Sequence, residues 1–255
     1  MSSTATHARH AASIDAGTAS LVNRTQAARA IASAAEPAPL SVPELEQRRL
    51  IHRSDSGRTQ ANAFRELRTS LLARAGSGNF VTLVAPVSVG CGGSFVARNL
   101  AAAFAFDESK TSILVDCDAR HPSQHRPFGI AGGNQGLMDY LDDPRLEIDQ
   151  ILHPTGVPRL RLIPGGSCRE TTGEAFASLR MRALLDSLRM RYPDRYLILD
   201  GPAVQGSPDA RMLADLADLV VLVVGYGQVT TKQVARAAAA FDNAKIAGLV
   251  FNQHG

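Results

Sequence analysis

One segment constrains this chain more than any other: an apolar strand that breaks into a glycine-rich turn and runs directly into a helix. It reads Val81-Thr-Leu-Val-Ala-Pro-Val-Ser-Val-Gly-Cys-Gly-Gly-Ser94. Such a turn aims backbone N–H groups at an anion in front of a helix N-terminus, which is the layout of a phosphate-binding P-loop. A P-loop ends in Gly-Lys-Ser/Thr, and its lysine meets the β- and γ-phosphates. Here the ending is Gly92-Gly93-Ser94, so that charge is missing. The turn specifies a fold more clearly than an activity.

The rest of the chain fits that fold. Apolar runs at 80–85, 111–116, 159–163, 196–199, 219–224 and 246–251 alternate with helical patterns. The predicted helices cover 60–73, 94–106, 137–141, 146–152, 174–191, 209–217 and 230–240, and no internal repeat is evident. The runs are continuous rather than alternating, which suits strands buried on both faces. The expected fold is α/β, a doubly wound, mostly parallel sheet with helices on both faces, of the P-loop NTPase type. Residues 1–45 are Ala/Ser/Thr-rich and close with Pro37, Pro39 and Pro43, so they are expected to form a disordered tail and linker before one domain at 46–255.

Composition excludes several classes. A net charge of +3 over 255 residues gives no case for nucleic acid. No apolar run approaches the roughly 18–20 residues that cross a bilayer, and the N-terminus lacks a secretory pattern. The three cysteines, Cys91, Cys117 and Cys168, have no metal-like spacing and suit a reducing cytoplasm. Lysine occurs at 110, 232 and 245, all far in sequence from the glycine turn.

In an open parallel sheet, ligands sit beyond the carboxyl ends of the strands. One apolar run ends in the glycine turn, a second in Asp116-Cys-Asp118 and a third in Asp200. Magnesium takes hard oxygen ligands, usually one or two carboxylates with waters and phosphate oxygens. Ser94, Asp116 and Asp200 are therefore the expected metal ligands. A dinucleotide-binding reading of Gly90-Cys-Gly92 fails, because Phe95 replaces the third glycine and Asp200 has no role in it.

Several motifs in order resemble the cytoplasmic kinase domain of the bacterial tyrosine kinases of capsule and exopolysaccharide synthesis, within the deviant P-loop ATPases. Asn62-Ala-Phe-Arg-Glu-Leu-Arg-Thr69 is similar to that family's Glu-Ala-Phe-Arg-x-Leu-Arg-Thr, and Arg98-Asn-Leu-Ala101 to its Ala-Asn-Leu-Ala. Asp116-Cys-Asp-Ala-Arg-His-Pro122 matches Asp-Ala-Asp-Leu-Arg-Arg-Pro, and Asp200-Gly-Pro-Ala-Val204 matches Asp-Thr-Pro-Pro-Val. Gly136-Leu-Met-Asp-Tyr-Leu141, Leu160-Arg-Leu-Ile-Pro-Gly-Gly166, Asp209-Ala210 and Val250-Phe-Asn252 fit the remaining segments.

The resemblance implies phosphate contacts from Gly90, Gly92, Gly93 and Ser94, and Asn252 near adenine. It implies Asp116, Asp118 and Asp200 around Mg²⁺ and the attacking group. Arg65 and Arg68 would lie in the motif that mates neighbouring subunits in a homo-oligomer. Departures from the family are Gly93 for lysine, Phe95 for a hydroxyl residue, Asn62 for glutamate, and a last tyrosine at 226 in place of a terminal tyrosine cluster. Arg120, and less so Arg98, are candidate stand-ins for the lysine.

The resulting expectation is a cytoplasmic, tyrosine-kinase-like component of polysaccharide production, regulatory and impaired in phosphoryl transfer, with weak ATP and Mg binding. Its expected partner is a separate membrane polysaccharide co-polymerase or chain-length regulator, which would bring it to the inner membrane. The alternative is an active autokinase or ATPase with a remodelled phosphate site.

Overall fold

The computed structural model describes residues 38–54, 58–76, 78–133, 135–169, 172–190 and 194–253. Most of the expected tail, residues 1–37, lies outside them. Among the described residues, seven strands form one sheet in the order β3-β4-β2-β5-β1-β6-β7. They are β1 Val81–Pro86, β2 Thr111–Asp116, β3 His153–Pro154, β4 Leu160–Ile163, β5 Arg195–Asp200, β6 Leu219–Gly225 and β7 Ile246–Asn252. Every pairing is parallel except that of β3 with β4. The doubly wound reading of the sequence holds.

Continuous apolar runs arise because both faces of the central strands are covered. Within β1, Val81, Leu83 and Ala85 face one core cluster while Val84 faces the other. Ile113 and Val115 oppose Leu114 in the same way, and Val220 and Leu222 oppose Val221 and Val223. Full burial of each such side chain stabilises by about 1.5–3 kcal/mol, so no polar side can be left along these strands. Edge strand β7 is different, because Leu249 and Phe251 remain exposed.

The helices are α1 Val42–Gln47, α2 Arg58–Ala75, α3 Gly93–Ala105, α4 Leu137–Asp142, α5 Ile148–Ile151, α6 Gly173–Ala177, α7 Leu179–Met190, α8 Asp209–Leu216 and α9 Thr231–Ala238. The expected continuous helix 174–191 is broken at Ser178, which is extended at φ −67°, ψ 153°. Its Oγ accepts the Met181 N–H at 3.1 Å, so Ser178 caps α7 rather than continuing α6. Arg191 lies outside the described residues.

The folded body also begins earlier than the sequence suggests. Leu40 N donates to the Gly156 carbonyl at 2.9 Å and its side chain packs on the core. Ser41 then opens α1 with a capping box to Glu44. Pro43 falls in the first turn, where the missing N–H has no helical partner to lose, so it starts a helix instead of stiffening a linker.

Asn99, from the Arg98-Asn-Leu-Ala101 motif, pins the chain between α1 and α2. It is fully buried; its Oδ1 accepts Ile51 N–H at 2.8 Å, and its Nδ2 donates to Arg49 O and Phe95 O at 3.0 Å each.

Candidate phosphate site at the carboxyl edge of the sheet

Strands β1, β2 and β5 are parallel neighbours, so their last residues emerge side by side. Asp116 is in register with Asp200, and Asp200 with Val84. Two residues beyond β1's register partner begins the path into the glycine turn. Gly90 and Gly92 adopt φ of +89° and +84°, a region that L-residues with a Cβ rarely enter. Gly92 then caps α3, whose first N–H groups have no intrahelical acceptor. Asn252 at the end of β7 donates Nδ2 to Cys91 O at 3.1 Å and braces the turn from the far side. The turn thus places two positive-φ glycines and the start of α3 at the carboxyl edge of the sheet.

The lysine position is a different matter. Gly93 is buried, and a Cβ added there would sit 2.6 Å from Pro86 Cδ and 2.7 Å from its Cγ. Gly93 is therefore held as glycine by the proline that ends β1.

The carboxylates divide into two kinds. Asp116 and Asp200 are fully buried, whereas Asp118 is half-buried. Asp116 Oδ2 accepts the main-chain N–H groups of Ser123 and Gln124, both at 2.9 Å, and Oδ1 accepts Asp118 N at 3.3 Å. These bonds fold the 116–124 turn back over the strand end. Asp118 Oδ1 accepts His121 N at 3.2 Å and helps shape the same turn.

The turn delivers a residue that sequence reasoning missed. Gln124 is fully buried, and its Nε2 donates to Asp200 Oδ2 at 2.6 Å and to Ser94 O at 2.8 Å. No periodicity or spacing marks it, because Asp116 places it through main-chain bonds. Gln124 Oε1 and Asp200 Oδ1 are buried without a hydrogen-bond partner.

Burial raises the pKa of Asp200 to about 8, with the nearby Asp116 adding to it and Gln124 and the Ser94 side chain opposing. Burial likewise raises Asp116 to about 6, against the pull of its backbone donors. The Cys117 thiol, buried between them, is pushed well above its usual range by burial and by these carboxylates.

Neither stand-in for the lysine behaves as expected. Arg120 is exposed, and its carbonyl accepts from Cys168 Sγ at 3.0 Å. Arg98 is the nearer cation: its guanidinium stacks 5.3 Å from the Phe95 ring centroid and feels the charge of Asp200. Asp209 stands outside the site, where it accepts from Thr172 Oγ1 and joins α6 to α8.

A phosphate chain suits the glycine cradle, but a magnesium ion does not suit its surroundings as they stand. Magnesium needs near-octahedral oxygen ligands at about 2.0–2.1 Å and keeps several waters. Here an amide donor lies against Asp200, backbone donors fill Asp116 Oδ2, and both carboxylates are sealed from solvent. Among the described residues, no group of three or more His, Cys, Asp or Glu side chains is arranged to hold a metal.

Comparison with known proteins agrees with the fold. The Ralstonia solanacearum protein EpsB, a tyrosine-protein kinase by name, is 33% identical over 193 residues, or 74% of this chain and 25% of that one. Tyrosine-protein kinase Wzc of Salmonella typhimurium is 31% identical over 193 residues, again 74% of this chain and 26% of that one. Over that stretch the chain is similar to proteins named as bacterial tyrosine-protein kinases. The chain spans about a quarter of the length of these two relatives. It covers 86% of tyrosine-protein kinase YwqD of Bacillus subtilis, at 27% identity.

Among solved structures, the kinase domain of Escherichia coli ETK overlays with a TM-score of 0.69 at 24% identity, covering 84% of this chain and 88% of that one. The septum-site protein MinD of Pyrococcus horikoshii, solved with Mg-ADP, shares the fold at a TM-score of 0.55, 19% identity, and 68% of each chain. No protein-family model matches the chain.

Proposed function

We propose that this chain is a cytoplasmic, kinase-like component of exopolysaccharide or capsule production whose role is regulatory, with phosphoryl transfer impaired. The observation that carries the reading is Gly93, packed against Pro86 at the position where a P-loop presents its lysine. A hydrogen bond to a charged group contributes about 1.5–3 kcal/mol, so losing the lysine weakens ATP roughly tenfold to a hundredfold. The loss in rate is larger, because phosphoryl transfer depends on positioning and charge stabilisation. In this reading Asp116, Asp118, Asp200, Ser94 and Asn252 surround a cradle that binds nucleotide weakly.

Its partner is a separate membrane protein that governs polymer length or export. Among the described residues no helix is long and apolar enough to cross a membrane. Docking uses the outward side of α2. Arg65 sits there and bonds Asn62 Oδ1 at 2.8 Å, while Arg68 turns inward and donates to Ala103 O at 2.9 Å. Of the two arginines singled out in the sequence, Arg65 is thus the surface contact.

The test is calorimetric titration of the full chain with MgATP, followed by detection of phosphotyrosine after incubation. The expected result is affinity no better than the millimolar range and no phosphotyrosine. Micromolar affinity together with phosphotyrosine would establish the active autokinase instead.

A further inference from the structure

We infer that the Gln124 side chain is the specificity-determining group of this site: it bars a divalent cation from the gap between the glycine turn and Asp200. Nucleotide taken by the turn is then bound without a bridging metal. The inference rests on the proposed reading only in treating the turn as a phosphate site.

The orientation of the amide is set by its surroundings. Its nitrogen faces two acceptors, Ser94 O at 2.8 Å and Asp200 Oδ2 at 2.6 Å. A flipped amide would place Oε1 against both, so the donor must point inward. The cost of this orientation is visible in Gln124 Oε1, which is buried without a partner. Both protons of the amide are spent on tying α3 to the end of β5. A neutral donor thus stands against the carboxylate that a cation would use.

The remaining oxygens offer no alternative route. Asp116 Oδ2 already accepts two main-chain N–H groups, one of them from Gln124 itself. Asp200 Oδ1 is unpartnered but has no contact with solvent. Magnesium sheds water reluctantly and usually keeps several waters when protein-bound. A hydrated ion cannot reach Oδ1 while Gln124 stays in place. Asp118 and its neighbour His121, linked through a 3.8 Å contact, lie at the rim and can meet a cation only from outside.

The position of Gln124 is anchored by its main chain, since its N–H binds Asp116 whatever the side chain is. Gln124→Ala therefore removes the two donors and vacates their space while keeping the turn. Gln124→Glu keeps the shape and replaces the donor with a ligand oxygen.

The experiment uses the full chain and ATP as the probe. Binding is measured by calorimetry with excess Mn²⁺ and, separately, with EDTA. For the wild type, any affinity should be the same in both within about threefold. For Gln124→Ala, affinity in Mn²⁺ should exceed that in EDTA by at least about tenfold, the scale of one charged interaction. Gln124→Glu should show the same dependence and should gain thermal stability when Mn²⁺ is added. Tighter wild-type binding in Mn²⁺ than in EDTA overturns the inference. So does an absence of metal dependence, or of binding, in both variants.

Should both variants fail to fold, the wild type alone decides through its Gln124 side-chain ¹⁵NH₂ signals. These should exchange slowly and take the same positions in ATP with Mg²⁺ as in ATP with EDTA. A shift in MgATP that is absent in ATP with EDTA, or rapid exchange only when Mg²⁺ is present, overturns the inference. The proposed function fails on a different reading, wild-type phosphotyrosine, so either idea can fall without the other.

Discussion

Restoring the lysine at position 93 should not restore the site unless Pro86 is changed as well. The added Cβ would lie 2.6 Å and 2.7 Å from two atoms of the Pro86 ring and 3.1 Å from a third, its Cβ. That ring is buried at the end of β1 and has no rotamer to escape into. Overpacking of this kind costs about 1–3 kcal/mol. A change of 1 kcal/mol moves the melting temperature by roughly 2–4 °C in a domain of this size. Gly93→Lys alone should therefore melt roughly 2–12 °C below wild type and bind ATP no better. Pro86→Ala would leave the 3.1 Å contact, so the relieving change is Pro86→Gly. In the Gly93→Lys/Pro86→Gly protein the lysine can enter, and ATP affinity should rise about tenfold to a hundredfold. Differential scanning fluorimetry and calorimetric ATP titration of the four proteins make the cycle. If Gly93→Lys alone is as stable as wild type and binds ATP tightly, Pro86 does not control this position and the argument is wrong.

Three further outcomes are expected. Asp200 has a folded pKa of about 8, well above its unfolded value, so its contribution to stability is full at acid pH and is lost as pH rises toward 8. Asp200→Asn should accordingly melt higher than wild type at pH 8, with the gap closing toward pH 5; a gap that widens in acid refutes this. Asn99→Leu leaves the Ile51 N–H and the Arg49 carbonyl without their partner, while Phe95 O keeps its helical bond, and should cost about 2–6 kcal/mol in urea unfolding at roughly 1–3 kcal/mol for each of the two stranded groups. Arg65→Glu should weaken self-association or partner binding in analytical ultracentrifugation without changing the melting temperature, whereas Arg68→Glu should lower it because the bond to Ala103 O is lost.

Much of this protein is decided locally. Strands at 81–86, 111–116 and 195–200 are legible because a centrally buried strand must be apolar on both sides. The glycine turn is legible because positive φ at 90 and 92 demands glycine. The convergence of Asp116 and Asp200 follows too, since parallel neighbours end at one edge. Short-range chemistry already hid some details. Pro43 opens a helix and Ser178 caps one, yet each lies in a stretch whose composition suggests otherwise.

What the tertiary structure alone decided are contacts between residues far apart in sequence. Gly93 looks like a simple loss of charge until Pro86 is seen against it. Arg68 looks like a surface partner of Arg65 until its bond to Ala103 turns it inward. Gln124 carries no signal at all in the sequence. It reaches Ser94, 30 positions away, and Asp200, 76 positions away, because Asp116 folds the intervening turn with main-chain bonds. Main-chain N–H groups are the same in every non-proline residue, so nothing in the letters records which side chain such a turn will bury.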